Sequence, residues 1–136
     1  MEQTFNLKSL PVLDSMHDQR IANMELKEKM FILHYKDLHL KTGDFCSCDV
    51  IFSGVDDADV FAEVRRKKGL IVEGVGYYDN DFIEFIVNKE YCIETINFYH
   101  SYENVIIQAV LVDKSGKYCE DCVIRITATE VVYHWE

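Results

Sequence analysis

The chain has 136 residues, 49 % of them apolar and 28 % charged, which argues against a disordered chain and predicts one globular domain over residues 1–136. Its net charge of −10 repels phosphate groups, so we expect neither nucleic acid nor an anionic membrane as a partner. The charge serves solubility alone, or it steers a basic protein towards the chain.

The sequence shows no sign of export or membrane insertion. Residues 1–4 lack the basic segment and apolar core of a signal peptide. No apolar run approaches the roughly 20 residues that span a bilayer. We therefore expect a cytoplasmic protein whose five cysteines are reduced thiols.

Alternating apolar and polar residues predict strands in the first part of the chain. Phe5 and Leu7 predict a short edge strand that Pro11 ends, because proline offers no N–H to a strand ladder. Residues 20–27 and 30–36 predict a hairpin with a tight polar turn between them.

A further strand is expected at residues 45–53, after a break at residues 42–44. Its alternation places Cys46 and Cys48 on the same apolar face. The sheet is therefore predicted to continue beyond the first hairpin.

The segment 56–69 has two interpretations. It begins with aspartates and ends with four basic residues before Gly69, an order that a helix dipole favours. Its apolar residues also alternate from Val60 onward, as in a strand. We favour a strand hairpin, in which a turn at Lys68-Gly69 leads into residues 70–75.

One short helix is expected at residues 80–88. Asp79 and its neighbours are good N-cap residues. Phe82, Phe85 and Ile86 fall on one helical face. A helix of about two turns is stable only when packed on other elements, so this face should lie against the sheet.

Everything after Tyr91 is expected to be strand. A polar, aromatic hinge at residues 98–104 separates two apolar runs, and a turn at residues 114–117 needs its glycine at positive φ. The predicted strands of this region are residues 92–98, residues 105–112, a strand that Val123, Ile124 and Ile126 continue to Thr127, and residues 130–135.

Together these elements predict an α+β fold, mainly an antiparallel β-sheet with one short helix around residues 80–88. About eight to ten strands would curl strongly or split into two layers, giving a sandwich-like sheet.

Cysteine pairs are the one candidate for metal or thiol chemistry. Cys46, Cys48, Cys119 and Cys122 would supply four thiolates for tetrahedral zinc. The first pair lies on an apolar strand face, where a free thiol behaves as a small hydrophobe. We therefore favour core thiols, no cofactor and no enzymatic activity, with a zinc-binding or thiol-dependent protein as the alternative.

The hinge is a candidate contact surface. Tyr99 and Tyr102 are amphipathic aromatic residues of the type enriched in interface cores. They cover the end of the sheet, or they bind a partner together with Glu103 and the nearby acidic residues Asp79 and Asp81. The second interpretation predicts these five residues as the partner-binding site.

A pattern over most of the chain is similar to a group of small bacterial proteins. The segments that carry the resemblance are residues 17–21, 30–33, 82–86, 96–107 and 133–135. Some members of this group resemble the immunity proteins that accompany secreted or contact-delivered bacterial toxins. The resemblance implies a non-enzymatic protein that neutralises a basic toxin by direct binding. A structural module, a homodimer paired through its C-terminal strands, is a further alternative.

Overall fold

The computed structural model describes residues 1–9, 11, 13, 16–39 and 45–136. Within them lie ten strands, a short 3₁₀ helix at Leu7–Ser9 and one α-helix, α1, at Asn80–Lys89. The strands are β1 (Glu2–Asn6), β2 (Arg20–Lys27), β3 (Met30–His39), β4 (Phe45–Ser53), β5 (Val60–Lys68), β6 (Ile71–Tyr78), β7 (Cys92–Ser101), β8 (Asn104–Val112), β9 (Tyr118–Thr127) and β10 (Glu130–Trp135).

The described strands form one antiparallel sheet in the order β1-β10-β4-β3-β2-β7-β8-β9-β5-β6. Its central junction is short, since β2 and β7 pair through Arg20 with Glu94 and Ile21 with Ile93. This junction divides the sheet into a first half-sheet, β1 to β2 in that order, and a second half-sheet, β7 to β6. The predicted α+β fold with a mainly antiparallel sheet is confirmed.

The two half-sheets share one core. Their inner side chains form a single apolar cluster. Tyr35 of β3 and Thr95 of β7 are both fully buried, with the Tyr35 hydroxyl 2.8 Å from Thr95 Oγ1. At one end the backbone N–H of Glu103 donates to the carbonyl of Leu7 at 3.1 Å, which joins the β7–β8 turn to the chain after β1. The sheet is therefore sandwich-like.

Along each strand, buried side chains on the core face alternate with side chains on the outer face. In β8, Val105 and Ile107 are buried whereas Ile106 and Gln108 are exposed. Because successive side chains point to opposite faces, each strand that fills the core also presents an outer row. The outer rows of the second half-sheet make up the candidate surface described below.

The ambiguous segment 56–69 forms the favoured hairpin, β5 with β6. The sequence predicted a turn at Lys68-Gly69. Lys68 instead pairs with Ile71, so the turn is Gly69-Leu70. Gly69 has a φ of +63°, a conformation that glycine adopts without strain. Arg65, Arg66 and Lys67, from the basic run that imitated a helix terminus, are exposed towards the end of β5.

Two boundary predictions are wrong. The edge strand β1 ends at Asn6, well before Pro11, because the Asn6 side chain accepts a hydrogen bond from the Lys8 N–H at 2.9 Å and turns the chain into the 3₁₀ helix. The hinge at residues 98–104 is mostly strand, and its turn is Tyr102-Glu103 alone. The break predicted at residues 42–44 lies outside the described residues.

Helix α1 lies against β6 and β2. Phe82 and Ile86 are buried and Phe85 is half-buried, as the helical spacing predicted. The expected capping by Asp79 is wrong, because its side chain makes no bond to the helix and binds the β4–β5 loop instead. The described part of the chain contains no helix long and apolar enough to cross a membrane.

The helix should depend on Phe82. Phe82→Ala removes a fully buried ring and leaves a cavity, so it should lower the free energy of unfolding by about 3–5 kcal/mol. Val87→Ala, on the exposed side of the same helix, should change it by less than about 0.5 kcal/mol. Urea unfolding followed by circular dichroism measures both, and similar losses in the two variants would contradict the packing described.

Candidate functional site: an aromatic stripe beside an acidic end

The predicted contact tyrosines lie on the surface. Tyr99 is 52 % exposed on the outer face of β7, and Tyr102 is 66 % exposed in the β7–β8 turn. Glu103 completes that turn at a φ of +57°. A contact surface requires these rings to be accessible, and they are.

Tyr99 belongs to a row of side chains that crosses the second half-sheet. The register places Tyr99 opposite Ile106, Ile106 opposite Arg125, Arg125 opposite Phe61, and Phe61 opposite Tyr78. We call these five residues the aromatic stripe. At about 4.8 Å per strand spacing, the stripe is about 19 Å long.

Side-chain contacts order the stripe. The guanidinium carbon of Arg125 lies 5.4 Å from the ring centroid of Phe61, a cation–π distance. The rings of Phe61 and Tyr78 are 4.8 Å apart. The Phe61 ring also covers Gly76, where an added Cβ would lie 2.7 Å from a ring carbon. The stripe is thus an arranged surface of aromatic, aliphatic and guanidinium groups.

Of the five stripe residues, sequence reasoning placed Tyr99 alone in the predicted site; Tyr78 was noted as a nearby interface-type aromatic, and Phe61, Ile106 and Arg125 were missed. Alternation does place Phe61, Ile106 and Arg125 on the outer faces of their strands. Which outer residues meet across the sheet depends on strand order and register, and these follow from long-range pairing.

Acidic loops gather at one end of the same strands. The backbone N–H of Thr127 donates to the Asp59 carbonyl, and that of Ala128 donates to the Glu103 carbonyl, both at 2.9 Å. These bonds bring the β4–β5 loop beside the β7–β8 turn. The acidic side chains at this end, which we call the acidic end, are Glu28, Asp56, Asp57, Asp59, Asp79, Asp81, Glu103 and Glu130.

Three lysines offset part of this charge. Lys8 lies 3.5 Å from a Glu103 carboxylate oxygen, and Lys29 lies 3.6 Å from one of Asp56. Lys29 also borders a cleft of about 560 Å³ between the β2–β3 turn, the β4–β5 loop and the start of α1. With Lys27 as the third lysine, the acidic end keeps a negative excess.

The two predicted aspartates have different surroundings. The Asp79 carboxylate accepts hydrogen bonds from the backbone N–H of Ala58 at 2.7 Å and of Val60 at 3.3 Å, so it fixes the β4–β5 loop. Asp81 is exposed in the first turn of α1, where the helix dipole favours an acid. Asp81 is therefore accessible to a partner, and Asp79 shapes the loop beside it.

The cysteine pairs do not form a common site. Cys46 and Cys48 lie on β4 in the first half-sheet, whereas Cys119 and Cys122 lie on β9 in the second. Three residues apart on a strand, Cys119 and Cys122 face opposite sides. Burial, helped by neighbouring carboxylates, raises the pKa of the Cys122 thiol to about 12. Among the described residues, no group of three or more His, Cys, Asp or Glu is arranged to hold a metal.

A buried carboxylate supports the inner side of the second half-sheet. Glu120 is 5 % exposed, and its two oxygens meet the Arg66 Nε at 2.9 Å and the Tyr91 hydroxyl at 2.8 Å. Burial and the hydrogen bond to Glu120 raise the pKa of Tyr91 to about 12. Because both oxygens are occupied, we assign Glu120 a structural role.

His34 forms a charged bridge on the first half-sheet. Its Nδ1 lies 2.6 Å from Asp49 Oδ1, and its Nε2 lies 2.7 Å from Glu25 Oε2. Both ring nitrogens must donate to ionised carboxylates, so the bridging ring is an imidazolium. Partial burial alone would lower the pKa of His34, but the hydrogen bonds to Glu25 and Asp49 outweigh it and raise the pKa.

No protein-family model, curated protein or solved structure matches the chain. Function therefore has to be argued from the surface itself. The arrangement joins an exposed row of aromatic, aliphatic and guanidinium groups to an acidic end, and side chains of these types are common in protein interfaces.

Asp79 should matter for stability. Asp79→Ala removes the acceptor of two backbone N–H groups, so the free energy of unfolding should fall by about 1–3 kcal/mol. Asp81→Ala, two residues away, should change it by about 0.5 kcal/mol at most. Chemical unfolding curves compare the two variants, and a loss confined to Asp81→Ala would refute the assignment.

The His34 bridge should make stability depend on pH. A raised folded-state pKa contributes stability that is complete below the unfolded pKa of about 6.5 and is lost as the pH rises through the folded pKa. The hydrogen bond from His34, then the charge of Lys27, hold the pKa of Glu25 below its ordinary value. The stability that ionised Glu25 contributes is therefore lost only at more acidic pH.

We therefore expect the melting temperature to fall from mildly acidic to alkaline pH, and to fall less in His34→Gln. Differential scanning calorimetry of both proteins across this range isolates the contribution of the bridge. Parallel pH profiles would contradict it.

Proposed function

We propose that this chain is a cytoplasmic, non-enzymatic binding protein that recognises a basic protein and neutralises it by direct contact, as an immunity protein neutralises a bacterial toxin. The observation that carries the proposal is the aromatic stripe beside the acidic end. The resemblance of the sequence to immunity-type proteins names the class of partner.

The stripe has the composition of an interface centre. Tyr and Arg are among the residues that supply most of the binding energy in protein interfaces. Arg125 and Tyr78 both pack on Phe61, so part of their side-chain freedom is restricted before a partner covers them. Exposed aromatic residues grouped in this way are typical of interaction surfaces.

The acidic end would attract and orient a basic partner. The chain carries 24 acidic and 14 basic residues, and part of the acidic excess gathers where the stripe strands end. A basic partner would be attracted to this end, which raises the association rate more than the final affinity. Glu103 and Asp81 would meet basic side chains of the partner, while Tyr99 and Tyr102 would be covered by its apolar surface.

This division of labour assigns separate roles to the five predicted residues. Tyr99 and Tyr102 are anchors, and Glu103 and Asp81 are acidic contacts. Asp79 acts indirectly, because its carboxylate is held by the β4–β5 loop. Neutralisation then needs no bond to be made or broken, since a bound inhibitor blocks the toxin by occupying its surface.

The two anchor tyrosines should contribute to partner binding and not to the stability of the fold. Replacing both Tyr99 and Tyr102 with Ala should leave the unfolding curve almost unchanged and weaken partner binding at least tenfold, about 1.4 kcal/mol. Tyr118→Ala is a matched control, since Tyr118 is 53 % exposed at the opposite end of β9. Calorimetric titration with the product of the adjacent gene measures the affinities, and affinity capture from the source cell tests whether that product is the partner.

Salt dependence tests the charge component. Association of a basic partner should slow as ionic strength rises, and Glu103→Gln with Asp81→Asn should reduce that slope. An acidic partner, or a double tyrosine variant that binds as well as the Tyr118→Ala control, would overturn the proposal.

A further inference from the structure

The strand β6 is exposed along its length. Residues 71–76 are all exposed, and Leu70 in the preceding turn is fully exposed. Among the described strands, β6 pairs with β5 and has no neighbour on its other side. An apolar edge of eight residues that pairs without a register shift is a ready template for another strand.

The opposite edge of the sheet is built differently. Strand β1 has five residues, mostly polar, and the chain turns away from it into the 3₁₀ helix. Short, polar edges of this kind discourage pairing. The contrast makes β6 the edge that is suited to a partner strand.

The free hydrogen-bonding groups of β6 can be assigned. The backbone N–H of Asp79 donates to the Val60 carbonyl of β5 at 2.9 Å. Antiparallel pairs alternate between residues that bond to a neighbouring strand and residues that point away from it. Counting back from Asp79, the groups of Val72, Gly74, Gly76 and Tyr78 therefore point outward.

We propose that β6 pairs antiparallel with β6 of a second copy of this chain, about a two-fold axis at Val75. Outward-pointing residues then face one another, with Val72 opposite Tyr78 of the second copy and Gly74 opposite Gly76. Val75 of each copy faces its equivalent as a pair without direct backbone bonds. The C-terminal strands β8, β9 and β10 have strand neighbours on both sides, so their edges are not available for such a dimer.

Charge complementarity argues for a second copy as the occupant. Strand β5 carries Arg65, Arg66 and Lys67 near the hairpin turn, in a chain whose net charge is −10. Arg65 pairs with Glu63 and Arg66 with Glu120 within the same copy, so Lys67 is the cation that faces a second copy without an internal ion pair among the described residues. In the proposed register the turn of one copy lies beside residues 79–81 of the other, at its acidic end. Strand β5 of one copy lies two strand spacings, about 10 Å, from β6 of the other, close to one Debye length of about 8 Å, so part of the attraction persists.

The dimer also places the outer faces of both copies on one side of the joined sheet. The aromatic stripe ends at Tyr78 on β6, opposite Val72 of the second copy, so the two stripes end on the same joined face about 20 Å apart along the strands. Dimer formation does not require a toxin partner. Tyr99 lies four strand spacings from β6, roughly 19 Å, and Tyr102 lies in the adjoining β7–β8 turn, so variants at either place leave the other intact.

Sedimentation velocity across micromolar concentrations tests the dimer. The wild-type chain should sediment as a dimer that dissociates on dilution. Val72→Pro removes an outward N–H without touching a bond to β5, so it should yield a monomer with an unchanged circular dichroism spectrum. Val72→Thr keeps the N–H and should remain dimeric. A monomeric wild type, or a Val72→Pro variant that still dimerises, would overturn the proposal.

Cross-linking tests the register. Facing residues without direct backbone bonds have Cα atoms about 4.5 Å apart, a distance that a disulfide can span. Val75→Cys should therefore form a disulfide between copies under mild oxidation, whereas Glu73→Cys, opposite Tyr77 of the second copy, should not. Mass spectrometry separates this link from links through the five native cysteines. A Val75 link no faster than the Glu73 link refutes the register, and a monomer that instead binds an unrelated strand refutes the choice of partner.

Discussion

The short pairing between β2 and β7 is the constraint on which the rest of the molecule depends. With two residue pairs at this junction, the sheet can curl and bring the inner faces of its halves together. Each half-sheet then buries the other, and the helix α1 fills the remaining gap with Phe82 and Ile86. The same curl leaves the outer faces in solvent, including the face that carries the aromatic stripe.

Much of the architecture could be predicted because the alternation of buried and exposed side chains along a strand can be read from the local sequence. The strands at residues 45–53 and 130–135 have the predicted ends, and the hairpin at β5–β6 follows from alternation despite a charge order that imitates a helix. The stripe could not be predicted. Arg125 meets Phe61 because β9 lies between β8 and β5, and that order arises from pairing between residues far apart in the sequence.

Local rules failed where a side chain had a better distant partner. Asp79 precedes a helix, yet its carboxylate binds the β4–β5 loop, about twenty residues earlier in the sequence. His34 bridges strands on both sides of its own, which no spacing in the sequence indicates. In both places the tertiary contact offers a polar group more hydrogen bonds than its chain neighbours do, so the tertiary contact prevails.

The stripe draws one residue from each of five strands, and for Phe61, Ile106 and Arg125 both neighbours in sequence are buried in the core. Residues of the proposed contact surface therefore alternate with core residues along the same strands. A gene encoding such a sheet can exchange a stripe residue without disturbing the packing on the other side. Under the proposed function, specificity for a partner can then change one side chain at a time while the fold stays constant.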